Sequence, residues 1–323
     1  MSDIWAPELH IVDDYWWVYF CGADPDRGNP SHRMYVLHGP HVSTDPMDST
    51  SKFSLEGQIR GLPDHWAIDG TVFKLNGELY MVYSGWPLHE NDDLKQELFI
   101  AKMVDPVTAD PSTGVHMIST PQYDWEKWKD PGNGPWHEIN EGPQWLEMDT
   151  FKGIIYSAGA SWTSNYNLGI LQYIGGDPLQ ISSWRKLPQR LLCNNPSGKG
   201  PFAPGHCSYT SHFFCATNVR FVPSPDNTQM WIVYHATPSP NDGWANRKAH
   251  AQPLELRSGL PYAGEFPLAD GTCPVPSGTS VPANPTPLPE TVLGPMPNFG
   301  TKPKLKKGKN VWQRFKSQLK KLG

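Results

Sequence analysis

The 323-residue chain contains 14 Trp, 12 Tyr and 12 Phe together with 34 Pro and 29 Gly, a composition that favours many short strands separated by turns over long helices. No apolar run is long enough to span a bilayer, and the first ten residues lack the basic start and apolar stretch of a secretory signal. Residues 302–323 hold nine Lys or Arg and no acid, which leaves 18 basic against 32 acidic residues elsewhere and makes nucleic acid a poor partner for that acidic body.

Four hairpin-like segments follow one another, each an apolar strand, a turn and a second strand that ends in aromatic residues. They read WAPELHIVDDYWWVYF, AIDGTVFKLNGELYMVY, NEGPQWLEMDTFKGIIY and GHCSYTSHFFCATNVRFVPSPDNTQMWIVY. The predicted turns use residues that tolerate tight turns; they are Asp13-Asp14, Asn76-Gly77, Lys152-Gly153 and Pro225-Asp226-Asn227.

The spacing of these hairpins predicts an all-β fold of the β-propeller type. Alignment of the second strands on Tyr19, Tyr83, Tyr156 and Tyr234 gives spacings of 64, 73 and 78 residues. A strand-only repeat of that length is typical of propeller blades with long loops. A β-sandwich with similar hairpins is the alternative.

The same alignment predicts where a functional site lies. The innermost strands of a propeller start around one axis, and here they start near Trp5, Asp69, Glu141 and His206. Two carboxyl groups suit glycosidic chemistry, and an aromatic face suits a sugar ring. We therefore expect a carbohydrate site at the axis.

The five cysteines contain no C-x-x-C pair, which disfavours a zinc ribbon. Cys193, Cys207 and Cys215 lie close enough in sequence for one disulfide, but the odd total leaves the redox compartment open.

The hairpin pattern ends near residue 265, so we predict a propeller over 1–265, a Pro-rich linker over 266–300 and a basic tail over 301–323. On a helix, the tail would present one apolar face, made of Val311, Trp312, Phe315, Leu319 and Leu322. That face predicts weak contact with an anionic membrane or polymer. The favoured alternative is a solvated basic tail, or translated sequence outside the native domain.

Five motifs resemble those of glycoside hydrolase family 43, the five-bladed β-propellers that include α-L-arabinofuranosidases and β-xylosidases. IWAPELH is similar to the opening of the second blade, HWAIDGTVF to the third, INEGPQWL to the fourth and GPFAPGHCSY to the fifth. VYHATPSPNDGWANRKAHAQ is similar to the closing segment. The resemblance covers about residues 4–260, in order.

This resemblance implies a role for each matching residue. Glu141 matches the general acid, and Asp69 matches the carboxylate that orients this acid and raises its pKa. His206 matches an axial histidine that is often associated with calcium, which makes calcium the expected cofactor. The candidates for substrate contact are Trp5, Trp66, Trp162, His206 and Arg247. Glu8 lies further along its strand and is assigned a structural role.

The general base of the family is a first-blade aspartate upstream of the Trp-Ala-Pro motif. The sequence therefore predicts a propeller that begins at its second blade, truncated at the N-terminus, with about four blades visible. Asp24, in an Ala-Asp-Pro setting, and Asp3 are alternative bases, but neither has the position that an inverting mechanism requires.

These observations predict an inverting hydrolase that removes terminal α-L-arabinofuranosyl or β-xylosyl residues from plant cell-wall polysaccharides. Such a substrate implies an extracellular location; the lack of a visible signal implies either a cytosolic protein or a missing N-terminus. The main alternative is a truncated, inactive propeller that at most binds carbohydrate. A protein-interaction propeller is a third reading, but it leaves the acidic ring unexplained.

Overall fold

The computed structural model describes residues 1–89, 92–208, 222–226, 228–269 and 272–279. Met1–Thr279 forms one compact unit. The predicted basic tail, the linker beyond residue 279 and Cys215 lie outside the described residues, so the predicted domain boundaries stay predictions. None of the helices within these ranges has the length and apolar character needed to cross a membrane.

The described residues form β-strands with three short 3-10 turns, at Asn29–Ser31, Asp124–Glu126 and Ile181–Ser183. The first sheet contains β1 (Ser2–Val12), β2 (Tyr15–Ala23), β3 (Arg33–His41) and β4 (Ser54–Gln58), paired antiparallel in chain order. The second contains β5 (Ala67–Leu75), β6 (Glu78–Gly85) and β7 (Lys95–Asp105), with β8 (Thr108–Ala109) and β9 (Val115–Ser119) paired to β7.

The third and fourth sheets repeat this meander. The third contains β10 (Lys127–Lys129), β11 (Trp136–Met148), β12 (Phe151–Ala158), β13 (Asn167–Tyr173) and β14 (Trp184–Lys186), with β10 paired to the start of β11. The start of β11 also pairs in parallel with β7, so the second and third sheets are hydrogen-bonded into one ten-stranded sheet. The fourth contains β15 (Phe202–Ser208), β16 (Val222–Pro223), β17 (Met230–Thr237), β18 (Lys248–Arg257) and β19 (Leu260–Tyr262). The four sheets correspond to the four predicted hairpins.

Aromatic and aliphatic side chains pack the sheets against one another in three buried clusters. Between the second and third sheets, Phe73 stacks on Trp145 with ring centroids 4.2 Å apart and an interplanar angle of 5°. The four tyrosines used for the alignment are all buried in second strands, as the pattern predicted. Inter-sheet packing therefore accounts for the unusual number of aromatic residues.

Two predicted hairpin turns are confirmed and one is wrong; the fourth, Pro225-Asp226-Asn227, includes a residue outside the described ranges and stays a prediction. Asp13-Asp14 and Asn76-Gly77 connect their strands with positive φ at all four residues. The third turn lies at 149–150, whereas Lys152-Gly153 is inside β12. A Cβ on Gly153 would lie 2.5 Å from the backbone oxygen of Leu171, so this glycine permits close approach of β13 rather than a turn.

The strand that opens each predicted hairpin, here called the first strand (β1, β5, β11 and β15), carries a β-bulge that the sequence analysis did not predict. Register shifts interrupt β1, β5, β11 and β15. The backbone is left-handed at Ala6, Asp69, Gly142 and His206, with φ of 47°, 55°, 53° and 42°. Bulges redirect side chains, and here they lie where the four first strands meet.

The described cysteines are all free thiols. Cys193 and Cys207 are buried and not bonded to each other, so the disulfide prediction is not met by this pair. Burial raises the pKa of Cys21 to about 12, which keeps this thiol protonated and unreactive.

Candidate active site

Glu141 lies on β11, near the point where this strand begins to pair with β12, and is only 8% exposed. The Tyr166 hydroxyl donates a hydrogen bond of 2.7 Å to its Oε1. Burial, followed by the nearby charge of Asp69, raises the pKa of Glu141 above its usual range, against the opposing effect of the Tyr166 bond. Glu141 therefore holds a proton at a higher pH than an exposed glutamate does.

Asp69 comes from the neighbouring sheet and is also buried. The backbone N–H of Gly142 donates to its Oδ2 at 3.1 Å, which joins β5 directly to the residue after Glu141. Burial raises the pKa of Asp69, the Gly142 bond opposes this, and the charge of Glu8 raises the pKa further. Two buried carboxyl groups that interact electrostatically retain a proton that isolated groups would release.

His206 lies on β15 beside these acids. Its Nδ1 is 3.8 Å from Asp69 Oδ2, and its backbone N–H donates to Ser157 Oγ at 2.7 Å. Burial lowers the pKa of this imidazole. Calcium prefers several oxygen ligands, and within the described ranges no group of three or more His, Cys, Asp or Glu side chains is placed to hold a metal. The described residues present no such side-chain cluster, and calcium at His206 stays a prediction.

Arg247 reaches the same centre from the connection between β17 and β18. Its Nη2 donates to the carbonyl oxygen of Ser161 at 2.9 Å, and its guanidinium lies 6.0 Å from the centroid of the Tyr166 ring. Its positive charge lowers the pKa of both Asp69 and Glu141. Arg247 is thus the cation beside the two acids, and its contact with substrate stays a prediction.

The three candidate tryptophans have different environments. Trp5 is 41% exposed and stacks on His32 at 3.9 Å. Trp66 is only 4% exposed and stacks on Trp86 within the core, which leaves little ring surface for a sugar. Trp162 is half-buried and makes an edge contact with the exposed Trp244 at 6.1 Å.

Glu8 is close to the acids, although the sequence analysis gave it a structural role. It is buried; Gln144 Nε2 donates to its Oε1, and His10 Nε2 lies 2.8 Å from its Oε2. Its charge raises the pKa of Asp69. The sequence contained a signal for this position of Glu8: Glu8 and Gln144 each directly follow a proline on a first strand, so they occupy equivalent positions. Tyr166 was also missed, and its position in a connection gave no signal.

The two alternative bases, Asp3 and Asp24, are both exposed. Asp24 Oδ1 accepts the backbone N–H of Asp26 at 2.9 Å within the β2–β3 connection. The backbone oxygen of Asp3 lies 2.9 Å from His32 Nε2, which ties down its main chain and leaves its carboxylate in solvent. Within the described residues, neither carboxylate is hydrogen-bonded to Asp69 or Glu141.

The sequence model of glycosyl hydrolases family 43 matches residues 1–261. The chain belongs to this family. It is 31% identical over 284 residues to an extracellular exo-α-(1→5)-L-arabinofuranosidase of Streptomyces avermitilis, covering 85% of this chain and 52% of that protein. It is 30% identical to α-L-arabinofuranosidase B of Pyricularia oryzae, covering 84% of this chain and 51% of that protein. The chain thus spans about half the length of these two relatives.

Solved structures agree with the family-43 assignment. An α-L-arabinofuranosidase from Lactobacillus brevis superposes with a TM-score of 0.65 at 29% identity, covering 82% of this chain and 76% of that one. A thermostable family-43 glycoside hydrolase has the same TM-score at 19% identity, covering 86% and 79%, and supports the fold alone. These neighbours are five-bladed β-propellers, so the predicted family and fold class are confirmed.

Proposed function

We propose that this family-43 chain is a glycosidase that removes terminal α-L-arabinofuranosyl residues, or β-xylosyl residues, from plant cell-wall polysaccharides by inversion. The observation that carries the proposal is the buried pair Glu141 and Asp69, joined through Gly142 where the first strands meet. Two named relatives are exo-α-(1→5)-L-arabinofuranosidases, which favours arabinose. The word "extracellular" in those names supports the same location for this chain.

In this mechanism Glu141 is the general acid. It gives its proton to the glycosidic oxygen while the C–O bond breaks, and the bonding electrons stay with that oxygen. Asp69 remains charged beside it and favours the protonated form of Glu141 until the leaving oxygen takes the proton. A water molecule attacks the anomeric carbon from the opposite face of the sugar, and its proton passes to a general base, which the family resemblance assigns to a first-blade aspartate.

A second candidate function is carbohydrate binding without turnover. It is favoured by the exposed positions of Asp3 and Asp24, the two alternative bases. Without a base, attack by water loses a contribution of about 10²–10⁴-fold. Contact between the tail at 301–323 and an anionic surface stays a prediction, because that segment is outside the described residues.

The test is hydrolysis of an aryl α-L-arabinofuranoside by the purified chain, with and without azide, beside Glu141→Gln. Glu138→Gln is the matched control, because Glu138 lies on the same strand in a part-exposed ion pair with Lys127. Hydrolysis without azide, lost only in Glu141→Gln, supports the complete enzyme. Turnover only with azide supports the acid and places the base elsewhere. A bound sugar without turnover in either case supports the binding function.

A further inference from the structure

We propose that Tyr166 is a positioning residue: its hydrogen bond to Oε1 of Glu141 makes Oε2 the oxygen that delivers the proton. The assignment rests on the proposed function of Glu141 as the general acid. Tyr166 lies in the connection between β12 and β13, 25 residues after Glu141, and none of the sequence motifs contains it.

The direction of the Tyr166 bond follows from a chain of donors. The backbone N–H of His206 can only donate, and it donates to Ser157 Oγ at 2.7 Å. A side-chain hydrogen bond from Ser157 lowers the pKa of Tyr166, which is the effect of a hydroxyl that donates to the phenol oxygen. Since Ser157 already accepts from His206, its own hydrogen is available for the Tyr166 oxygen, and the Tyr166 hydrogen then points to Glu141 Oε1.

This direction decides which carboxyl oxygen carries the acidic proton. An oxygen that accepts the Tyr166 hydrogen is the carbonyl-like oxygen of a protonated carboxyl group, so the proton of Glu141 resides on Oε2. After this proton passes to the leaving oxygen, the new carboxylate keeps the Tyr166 bond, and bonds to charged acceptors are stronger. Tyr166 keeps its own proton throughout, because burial and the Glu141 charge raise its pKa well above the usual value.

The Tyr166 ring is held on several sides, as a positioning role requires. A Cβ on Gly205 would lie 2.0 Å from two ring carbons, so only glycine leaves room for the ring there. The His235 imidazole stacks on it at 5.7 Å and 12°, and Arg247 lies on a face at 6.0 Å. Burial lowers the pKa of His235 to about 3, which keeps this stack uncharged.

Infrared spectroscopy tests the assignment without turnover. The carboxyl stretch of Glu141 is identified by its loss in Glu141→Gln and followed as the pH is raised. The titratable groups and charges facing Glu141 are Asp69, Tyr166, His206 and Arg247. Tyr166→Phe removes a bond that favours the carboxylate, so we expect the pKa of Glu141 to rise by about 1 to 2 and its C=O stretch to move to higher frequency.

Kinetics provide the second readout. With the aryl arabinoside, Tyr166→Phe is expected to lower kcat by about 10- to 100-fold with little change in KM, and to move the alkaline limb of the pH profile upward. Ser157→Ala removes the hydroxyl that lies between the His206 N–H and the Tyr166 hydroxyl. It is expected to lower kcat and raise the alkaline limb in the same direction as Tyr166→Phe, but by less. This variant retains the Tyr166 ring and tests the assignment even if Tyr166→Phe fails to fold.

Tyr156→Phe is the matched control, because Tyr156 is also a buried tyrosine that donates to a buried glutamate, Glu126, at 2.9 Å. It should lose stability while leaving the Glu141 band in place. An unchanged Glu141 titration in both Tyr166→Phe and Ser157→Ala, or an equal change in Tyr156→Phe, overturns the assignment. If the titrations are as expected but no glycoside is turned over with or without azide, the hydrogen-bond assignment is supported and the proposed function is refuted.

Discussion

Lys186 forms a buried ion pair with Glu126, and breaking this pair should lower the free energy of unfolding. Its Nζ lies 2.5 Å from Glu126 Oε1, 2.7 Å from the Thr120 carbonyl oxygen and 2.8 Å from Asn140 Oδ1. The two charged side chains are 5% and 0% exposed. Burial lowers the pKa of Lys186 to about 8, so the ammonium is still charged at pH 7. The pair connects β14 to the residue immediately before Glu141.

Lys186→Met keeps most of the apolar stem and removes the charge. Glu126 then stays buried with its bonds from backbone N–H groups and from Tyr156, but without a cation. Removing one partner of a buried pair costs about 3–5 kcal/mol, and we expect the lower half of this range because those donors remain. The measurement is the free energy of unfolding in urea at pH 7.

Lys152→Met is the matched control, since Lys152 pairs with Glu147 at 2.7 Å in the same sheet while both side chains are partly exposed. Surface pairs of this kind contribute about 0–1 kcal/mol. The double variant Lys186→Met/Glu126→Gln should lose less than the sum of the single variants. Two results would contradict a buried ion pair: Lys186→Met no more destabilising than Lys152→Met, or a double variant whose loss of unfolding free energy equals the sum of the losses in Lys186→Met and Glu126→Gln.

Three further changes test the site and the packing. Asp69→Asn removes a charge that raises the pKa of Glu141, so this pKa should fall and the alkaline limb of activity should move to lower pH; an unmoved limb would contradict the pairing. Phe73→Ala removes the stack on Trp145 and should cost about 3–5 kcal/mol of unfolding free energy in urea, well above the loss in Phe73→Leu. Gly153→Ala should cost about 1–3 kcal/mol of unfolding free energy by crowding the β13 backbone, and unchanged stability would contradict the role of Gly153 in that close approach.

Local patterns were sufficient to predict the class of fold. Alternating apolar residues mark strands, and pairs such as Asn76-Gly77 adopt the positive φ that tight hairpins require. The repeats placed Asp69 and Glu141 at the starts of first strands, and the backbone of Gly142 indeed joins them. The third turn was misplaced because glycine occurs both in turns and where two strands approach closely. The sequence alone does not show which of these two roles Gly153 has.

The sequence by itself determined the strands, two of the four predicted turns, the family and the positions of Asp69 and Glu141 near the starts of first strands, because these depend on residues near one another in the chain. Only the tertiary structure decided that Glu8 faces Asp69, that Trp66 is buried and that Tyr166 holds Glu141. Bulges shift the register within each first strand, so counting residues does not give side-chain direction. The Tyr166 ring is held by Gly205 and His235 of the fourth sheet, which lie far from it in the sequence.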